Sequence, residues 1–409
     1  MYTKELTAIN KILINKGFIN IVINDALKDF KETKQRKALF TRIVYGVVDN
    51  KMLLDYQISF YLKKDSMPKE LKNLLRMGTY MILYMNLTNH HVVKEIVEMT
   101  KKLSPNYGSL FNAILRNITK NGEQEVYFDD QNRLLSVKYS YPVNLVVLLK
   151  NQYPDEYLDI LKHEDEFYNV YRINTIKTTV EDVKDDLKDF DVEIINDAII
   201  TKHNLTNLNL FKKGLIVYQD LASQKVCEVL DPKEGMKILD MCSAPGSKAF
   251  HIAAKTKNNA EITCCDIYEH KIKLIEEMAN NLGVTSIKTK LCDSIMQTYD
   301  EPFDMVLLDA PCSGLGVIKH KVDLKYQFNM KDVNDIIVLQ KALLGRASRN
   351  VSIGGTLVYS TCTINKMENE EMIKYFLKKH KEFELIEELK YLPTNKNDGF
   401  YIAKLIRKS

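Results

Sequence analysis

The sequence predicts a multidomain protein: a helical bundle, a small α+β module and a C-terminal doubly wound α/β domain. Three observations predict this organisation. Residues 1–125 carry apolar side chains at helical spacing and almost no proline. From about residue 217 onward, short apolar runs alternate with helical patterns, which is typical of a mostly parallel sheet. Between these parts, residues 120–140 are polar and indicate a linker.

The composition indicates a folded protein without a membrane span or a disulfide framework. At 409 residues, 45% of them hydrophobic, the chain is long enough for two or three domains. We find no uncharged apolar run of about 18 residues and no secretion signal, so we expect no membrane partner. The seven cysteines include no C-x-x-C pair, which favours reduced thiols in a cytoplasmic protein over disulfides or bound metal.

Charge is distributed unevenly along the chain. Residues 1–120 contain 20 lysines and arginines against 10 acidic residues, a net charge of +10. Because the whole chain carries +4, the remaining residues carry −6. A basic N-terminal segment favours an anionic partner, although a solvated helical surface would give the same pattern.

The N-terminal segment, residues 1–130, is predicted to be a helical bundle. Helical spacing of apolar residues is clearest in 6–13 and 39–47, and the apolar run 74–84 has the character of a central helix. Parts of the segment resemble the NusB family of RNA-binding helical domains, in the stretches 36–47, 75–97 and 111–116. The resemblance implies contact with RNA and identifies no catalytic residue.

Residues 131–218 are predicted to form a small α+β module that binds RNA or links the other domains. The pattern predicts helices over 142–161 and 180–190 and strands at 170–175, 192–195 and 198–201. Arg172-Ile173-Asn174-Thr175 resembles the R-x-N-T segment found ahead of the catalytic domain in RNA (cytosine-5) methyltransferases. Arg172 would then contact phosphate, and an ordinary surface arginine is the alternative.

The C-terminal domain, residues 219–409, is predicted to be a doubly wound, Rossmann-like sheet. The predicted strands are 236–241, 261–266, 287–291, 303–309 and 355–360, with a late strand within 399–406 and helices at about 268–282 and 332–351. Ligands of such sheets bind outside the carboxyl ends of the strands, so the loops at those ends are the candidate sites.

The loop after the first of these strands is the candidate cofactor site. It is not G-x-G-x-x-G, so a dinucleotide is disfavoured. Its D-x-C-x-A-P-G pattern, beginning at Asp240, resembles the S-adenosylmethionine loop of RNA (cytosine-5) methyltransferases. Ser247 and Ala249 depart from that family's usual A-P-G-G-K-T. The resemblance implies that the cofactor is S-adenosylmethionine and that it contacts Cys242, Ser243, Ala244, Pro245, Gly246, Ser247 and Lys248.

Two acids after the next strands extend this candidate site. Asp266 ends the second strand, where a carboxylate accepts hydrogen bonds from both ribose hydroxyls of a nucleoside cofactor. Asp293 follows the third strand and is expected to reach the adenine amino group. An acid at a strand end is often only a helix cap. Together with the loop, however, both acids match the family's cofactor residues, as does Asp309.

The last two strands of the pattern end in cysteine motifs. The fourth strand runs into Asp309-Ala310-Pro311-Cys312-Ser313, and the fifth into Thr361-Cys362-Thr363. These resemble the D-A-P-C-S and T-C-S motifs of RNA (cytosine-5) methyltransferases, with Thr363 in place of the usual serine. Neighbouring strands lie ~4.8 Å apart, so two thiols and a carboxylate are expected to converge there.

Methylation of cytosine explains the need for these groups. Carbon 5 of the base becomes a good nucleophile only after a thiolate has added to carbon 6, so covalent catalysis is required. Asp309 would stabilise the charge that addition places on N3. The resemblance assigns attack to Cys362 and release to Cys312. Residue chemistry alone does not rank the two thiols, and DNA cytosine methyltransferases attack with the Pro-Cys position. For Lys248, substrate contact and thiol activation both remain open.

The stretch after the Pro-Cys loop, residues 317–325, is basic. It resembles the family's V-I-R-R-H-P-D-I-K-W sequence, and its lysines and histidine would bind RNA phosphates unless they form an unpartnered surface loop.

In this order, the three segments resemble the bacterial 16S rRNA (cytosine-5) methyltransferases of the Sun/RsmB type. That family implies methylation of a single-stranded or flipped-out cytosine in 16S rRNA by a cytoplasmic enzyme, which we expect to be a monomer. A transfer-RNA cytosine-5 methyltransferase and a non-catalytic rRNA-binding or antitermination factor are the alternatives. The cysteine motifs argue against the second of these.

Overall fold

A computed structural model describes residues 2–28, 30–62, 66–162 and 168–409. The chain divides into two compact units, one formed by Met1–Lys162 with Ile318–Phe328 and one formed by His163–Val317 with Asn329–Ser409. This division differs from the predicted domains 1–130, 131–218 and 219–409. Residues 131–162 belong to the helical unit, and the α+β module shares a unit with the C-terminal sheet. Within the described ranges, no helix combines the length and the apolar character that a membrane crossing needs.

The first unit is helical, as predicted. Its helices are α1 (Thr3–Leu13), α2 (Ile19–Lys28), α3 (Lys34–Asp49), α4 (Lys51–Ser59), α5 (Lys69–Tyr84), α6 (Asn89–Leu103), α7 (Gly108–Asn121), α8 (Gln131–Lys138), α9 (Val143–Gln152) and α10 (Tyr157–Leu161). The central helix is α5, which packs against α1, α3, α4, α6 and α7. Gly46 permits the contact with α3, since a Cβ there would lie 1.9 Å from Cζ of Tyr80. The helix predicted over 142–161 is two helices, because Pro154 interrupts it.

The reason that residues 131–162 join this unit is their packing on α4. Ser140, in the turn between α8 and α9, accepts a hydrogen bond from the backbone N–H of Met52 at 2.7 Å. Ser136 on α8 is fully buried and donates to the carbonyl of Tyr141 at 2.6 Å. The polar linker predicted at 120–140 therefore contains the start of an integral part of the helical unit.

The second unit begins with a four-stranded antiparallel sheet. Its elements are β1 (Asn169–Ile173), α11 (Val180–Asp186), β2 (Val192–Ile195), β3 (Ala198–Thr201), α12 (Asn209–Lys212) and β4 (Ile216–Tyr218). The strand order is β2-β3-β1-β4. The predicted β-α-β-β pattern is confirmed, but β4 was not predicted, since three residues are too short for a sequence signal.

Arg172 on β1 does not face phosphate, contrary to the prediction. It is 1% exposed, and its Nε donates to Oε1 of Gln219 at 2.8 Å. Asp197 and His251 lie in the same buried polar cluster. The His251 Nε2 is 3.6 Å from Oδ2 of Asp197, longer than a normal hydrogen bond. Burial, and then the charge of Arg172, lower the pKa of His251 from 6.5 to about 4.

This cluster predicts a loss of stability in mild acid. Between pH 6.5 and about 4, His251 is protonated in the unfolded chain and neutral in the folded chain. The free energy of unfolding therefore falls as the pH falls through this range. At pH 5 the loss relative to pH 7 should be about 2 kcal/mol. Urea unfolding of His251→Gln should lack this loss, whereas the exposed control His203→Gln should retain it. Equal losses in both variants would contradict the assignment.

The remainder of the chain builds a seven-stranded sheet. In chain order the elements are α13 (Leu221–Leu230), β5 (Lys237–Asp240), α14 (Ser247–Lys255), β6 (Glu261–Asp266), α15 (Glu269–Leu282), β7 (Ile287–Leu291), β8 (Phe303–Asp309), α16 (Leu324–Gln327, in the segment that belongs to the helical unit), α17 (Met330–Asn350), β9 (Val351–Thr361), α18 (Glu370–Lys379), β10 (Phe383–Tyr391) and β11 (Phe400–Arg407). The strand order is β10-β11-β9-β8-β5-β6-β7. The strands β7, β6, β5, β8 and β9 run parallel, and β11 pairs antiparallel with β9 and β10.

Helices cover both faces of this sheet, which confirms the doubly wound prediction. One apolar core joins the sheet to α13, α14 and α15, and a second joins its other face to α17 and α18. The predicted late strand is β11, and its partner β10 was not predicted.

The basic stretch 317–325 lies largely in the helical unit. Lys325 on α16 is fully buried, forms an ion pair with Asp49, and lies 4.7 Å from the ring centroid of Tyr141. Tyr326 donates to the carbonyl of Asp49 at 2.8 Å. Lys325 is therefore a packing residue rather than a phosphate contact, whereas Lys321 is exposed.

Candidate active site

The candidate residues gather along one edge of the seven-stranded sheet. The parallel strands β5, β6 and β8 end at Asp240, Asp266 and Asp309, and β9 ends immediately before Cys362. Register aligns Asp309 with Ser360 on β9. Because parallel strands share one carboxyl edge, the sequence-predicted groups lie side by side.

The loop from Cys242 to Lys248 is held tightly between β5 and α14. The N–H of Ser243 donates to the carbonyl of Cys265 at 2.9 Å, and its hydroxyl donates to Oδ2 of Asp240 at 2.9 Å. Gly246 has φ +101°, and a Cβ there would lie 2.4 Å from the ring of Phe250. Helix α14 begins at Ser247 without a side-chain cap. Its first N–H groups are therefore available to an anion.

The two departures from the family's loop are accommodated by the helix. Ser247 is the first residue of α14 and is not in the left-handed region, so a glycine is not required there. Ala249 is fully buried in the core between α14 and the sheet. Neither substitution alters the turn that Gly246 makes.

Asp240 lies beneath this loop and is buried. It is 1% exposed, and among the described residues its Oδ1 has no hydrogen-bond partner of good geometry. Burial raises the pKa of Asp240 to about 7, even though the Ser243 hydroxyl opposes the shift. A cationic hydrogen-bond donor placed here would lower the pKa of Asp240 and restore its ionised form.

The two acids that were predicted to bind a nucleoside differ in their surroundings. Asp266 is 7% exposed, with Oδ1 accepting from the N–H of Tyr268 at 3.1 Å and Oδ2 lying 3.6 Å from Nζ of Lys271. Asp293 is exposed, and its Oδ1 accepts from the N–H of Ile295 at 2.9 Å. Asp293 thus also stabilises its own turn, which is the ordinary role of an acid after a strand.

Lys248 and Asp309 form an ion pair beside the thiols. The Lys248 Nζ donates to Oδ2 of Asp309 at 2.6 Å, and Ser360 donates to Oδ1 at 2.8 Å. Lys248 is 8% exposed and lies 5.3 Å from the ring centroid of Phe400. Burial lowers the pKa of Lys248, but Asp309 and Cys362 outweigh that effect and the net shift is upward. Residue 248 therefore stays an ammonium group.

The two thiols that the sequence predicted to converge are in contact. The Cys312 and Cys362 sulfurs are 3.5 Å apart. The hydrogen bond to Cys362, burial, and the charges of Cys362 and Glu368 together raise the pKa of Cys312 well above its ordinary value. Cys312 is therefore held as the neutral thiol, and either of the two sulfurs can donate the hydrogen bond between them.

Comparisons with known proteins identify the family of this chain. A family model described as 16S rRNA methyltransferase RsmB/F matches residues 227–406, and a NusB family model matches residues 2–120. The probable ribosomal RNA small subunit methyltransferase B of Bacillus subtilis (strain 168) is 32% identical over 397 residues, covering 93% of this chain and 88% of the relative.

The chain belongs to the RsmB/F family of 16S rRNA methyltransferases. Ribosomal RNA small subunit methyltransferase B of Yersinia pseudotuberculosis serotype O:1b (strain IP 31758) is 27% identical over 422 residues, 98% of this chain and 97% of the relative. The crystal structure of PH0851 covers 99% of this chain and 98% of its own, with a TM-score of 0.83 and 26% identity. NSun6 from Pyrococcus horikoshii, solved with SFG, shares the fold with a TM-score of 0.61 and 23% identity over 66% of this chain and 99% of its own.

Members of the RsmB/F family are S-adenosylmethionine-dependent rRNA methyltransferases, and S-adenosylmethionine is the cofactor of this chain. The residues present fit it. The open oxygen of buried Asp240 suits an ammonium group, and the uncapped start of α14 suits a carboxylate. The buried carboxylate of Asp266 suits a pair of hydroxyl groups.

Sequence reasoning missed three groups of this candidate site. Ser360 and Phe400 contact the Lys248–Asp309 pair. Glu368 accepts hydrogen bonds from Ser313, which follows Cys312, and from Asn365, which lies three residues after Cys362. Only Ser360 had a usable signal, since it directly precedes the motif that contains Cys362. The positions of Phe400 and Glu368 depend on contacts between segments far apart in the chain.

Proposed function

We propose that this RsmB/F family member methylates carbon 5 of a specific cytosine in 16S rRNA through a covalent adduct between Cys362 and carbon 6 of the base. The observation that carries the proposal is the contact of the Cys312 and Cys362 sulfurs, 3.5 Å apart, beside the Lys248–Asp309 ion pair. A base inside paired RNA cannot reach these groups, so the target is single-stranded or flipped out. We infer that the enzyme acts as a cytoplasmic monomer.

The surroundings of the two thiols favour Cys362 as the nucleophile. The hydrogen bond, burial and the nearby acid Glu368 hold Cys312 in its neutral form. Cys362 instead interacts favourably with the Lys248 ammonium, which stabilises a thiolate. Only the thiolate attacks, so the thiol beside the Lys248 ammonium carries out the addition. The neutral Cys312 and the cation beside Cys362 therefore favour attack by Cys362 over attack by the Pro-Cys position.

Asp309 and Lys248 act on the charge that addition creates. When the Cys362 sulfur bonds to carbon 6, electron density moves toward N3 and carbon 5 of the base. Asp309 takes up a proton from solvent as the base binds and shares it with N3, and the Lys248 ammonium compensates the negative charge of this centre. S-adenosylmethionine supplies an electrophilic methyl group, which carbon 5 can accept once the adduct has formed.

Release of the product is assigned to Cys312. After methyl transfer, carbon 5 carries both a proton and the methyl group. A base removes that proton, the electron pair restores the carbon 5–carbon 6 double bond, and the bond between Cys362 and carbon 6 breaks. Cys312 is in contact with the departing sulfur and is the group placed to assist this step.

Cofactor contacts are proposed for the loop and for three acids. The proposed set is Cys242, Ser243, Ala244, Pro245, Gly246, Ser247, Lys248, Asp266, Asp293 and Asp309. The start of α14 orients the carboxylate, and Asp266 accepts hydrogen bonds from the ribose hydroxyls. Burial raises the pKa of Cys242, so its side chain contacts the cofactor as a neutral thiol.

Asp266→Ala should weaken the binding of S-adenosylmethionine. The variant loses the acceptor for two hydroxyl groups, and hydrogen bonds to a charged group are each worth about 1.5–3 kcal/mol. We expect the loss of binding free energy to be at least that of one such hydrogen bond, about 1.5–3 kcal/mol, measured by calorimetry on the purified enzyme. The exposed control Glu269→Ala should bind normally, and unchanged affinity in Asp266→Ala would remove Asp266 from the site.

The helical unit is proposed to hold RNA through phosphate contacts. Its charge of +10 over residues 1–120 includes exposed cations on α6 and α7, namely Lys94, Lys101, Lys102, Arg116 and Lys120. Such contacts release counterions, so RNA affinity should fall steeply with salt.

Bisulfite sequencing tests the proposed function. Small-subunit rRNA and transfer RNA are each incubated with enzyme and S-adenosylmethionine. A newly protected cytosine in the rRNA alone supports the proposal. Protection in transfer RNA alone would reassign the substrate, and protection in neither, despite RNA binding, would favour a non-catalytic RNA-binding factor.

A further inference from the structure

Glu368 lies behind both cysteine loops and is fully buried. Its carboxylate accepts hydrogen bonds from the backbone N–H of Ser313 at 2.8 Å and from the Ser313 hydroxyl. It also accepts from the side-chain amides of Asn365 at 2.9 Å and Gln340 at 3.2 Å. One buried side chain therefore bonds to the residue after Cys312 and to a residue three positions beyond Cys362.

Further hydrogen bonds connect the same two loops. The Ser313 and Thr363 hydroxyls are 2.8 Å apart, so Thr363 provides the hydroxyl that the family's usual serine would provide. Gln340 on α17 also donates to the carbonyl of Pro311 at 2.8 Å. The carbonyl of Glu368 accepts from Tyr359 on β9 at 2.7 Å. Glu368 is thus fixed to the sheet at its backbone and to both loops at its side chain.

We propose that Glu368 is a positioning residue that holds the Pro-Cys loop, residues 311–314, against the Thr-Cys loop, residues 361–365, and so sets the distance between the Cys312 and Cys362 sulfurs. Its carboxylate is fully buried and acts through these two loops. The catalytic consequence rests on the proposed function, whereas the structural role does not.

A carboxylate is required because every group facing it is a donor. The Ser313 N–H, the Ser313 hydroxyl and the two amide groups all donate, and an ionised glutamate accepts at both oxygens. A glutamine of the same size would turn an NH₂ group toward one pair of these donors. That pair would lose its acceptor inside a buried site, where an unmatched donor is costly. The loop carrying Cys312 would have to move away.

The charge of Glu368 adds a second effect. It is among the groups that keep the pKa of Cys312 above its ordinary value. The same residue that fixes the distance between the thiols therefore also favours Cys312 as the protonated partner of Cys362.

Oxidative cross-linking measures the distance between the thiols without relying on methylation. Diamide removes one hydrogen from each of two neighbouring thiols, is itself reduced to the hydrazine, and leaves a disulfide. At 3.5 Å the Cys312 and Cys362 sulfurs need only a small movement to reach the ~2.05 Å of a disulfide bond. Peptide mapping by mass spectrometry identifies this pair among the cysteines and gives its rate of formation.

We expect Glu368→Gln to slow this cross-link at least tenfold, while the exposed neighbour variant Glu371→Gln forms it at the wild-type rate. With saturating substrates, Glu368→Gln should also lower kcat at least tenfold and leave KM for S-adenosylmethionine within twofold. A merely structural defect would instead lower the thermal midpoint and weaken cofactor binding in parallel.

An unchanged cross-linking rate in folded Glu368→Gln would overturn the proposal, whether or not the wild type methylates cytosine. If that variant does not fold, Ser313→Ala decides the question, because it removes the hydroxyl contacts with Glu368 and Thr363 and keeps the backbone contact. We expect Ser313→Ala to slow cross-linking measurably. A wild-type rate in Ser313→Ala would then overturn the proposal. If the wild type methylates no cytosine but Glu368→Gln still slows the cross-link, only the proposed function is overturned.

Discussion

Cys362→Ala abolishes methyl transfer to rRNA and forms no covalent RNA adduct, if Cys362 is the nucleophile. Without addition to carbon 6, carbon 5 of cytosine is too poor a nucleophile to accept a methyl group, so the rate should fall more than about 10³-fold. Methyl incorporation from labelled S-adenosylmethionine into rRNA gives the rate. Denaturing gel electrophoresis of the protein–RNA mixture reports the adduct.

Cys312→Ala should behave in the opposite way with respect to the adduct. Attack and release are separate steps that use separate thiols, so removing the later thiol traps what the earlier one made. The variant should transfer one methyl group per protein and then remain joined to the RNA on a denaturing gel. Cys227→Ala, which changes a buried cysteine on α13 outside both cysteine motifs, provides the control. A stable adduct in Cys362→Ala and none in Cys312→Ala would move the nucleophile to the Pro-Cys loop.

Lys248→Met should lower kcat by about 10²–10³-fold, the usual cost of removing a preorganised charge from an active site. Methionine has a similar length but leaves Asp309 without its 2.6 Å ion-pair partner and Cys362 without a neighbouring cation. Loss of that cation raises the pKa of the attacking thiol, so the acid limb of the pH–rate profile should move to higher pH. Initial rates of methyl incorporation between pH 6 and 9 would measure both effects.

The control for Lys248→Met is Lys255→Met on the same helix. Lys255 is 42% exposed and lies 3.8 Å from Asp197, away from the thiols. Its rate and pH profile should match those of the wild type. A kcat within threefold of the wild type in Lys248→Met would show that the ion pair serves folding rather than catalysis.

The elements that the sequence predicted correctly have strong local patterns. Strands β5, β6 and β8 are apolar runs that end in an acid, and β7 is bounded by turn residues. The parallel edge then follows from topology, since each strand is followed by a crossover and all carboxyl ends meet there. This is why Asp309, Cys312 and Cys362 could be expected to converge before any coordinates were known.

The features that sequence could not supply depend on packing between distant segments. The burial of Arg172 requires Gln219 as a partner, and the burial of Lys325 requires Asp49 and Tyr141. From the sequence alone, Arg172 and Lys325 are each predicted to be an exposed cation that binds phosphate. Strand β10 was missed because only its pairing with β11 identifies it as a strand. The role of Glu368 likewise exists only once both cysteine loops are folded against it.

The central claim is tested most directly by trapping the wild-type enzyme on RNA that carries 5-fluorocytidine. Fluorine cannot leave carbon 5 as a proton does, so the adduct persists after methyl transfer. Digestion and mass spectrometry then identify the modified peptide. We expect a methylated fluorocytidine attached to Cys362, formed only when S-adenosylmethionine and small-subunit rRNA are both present. An adduct on Cys312, or methylated rRNA with no adduct on either cysteine, would contradict it.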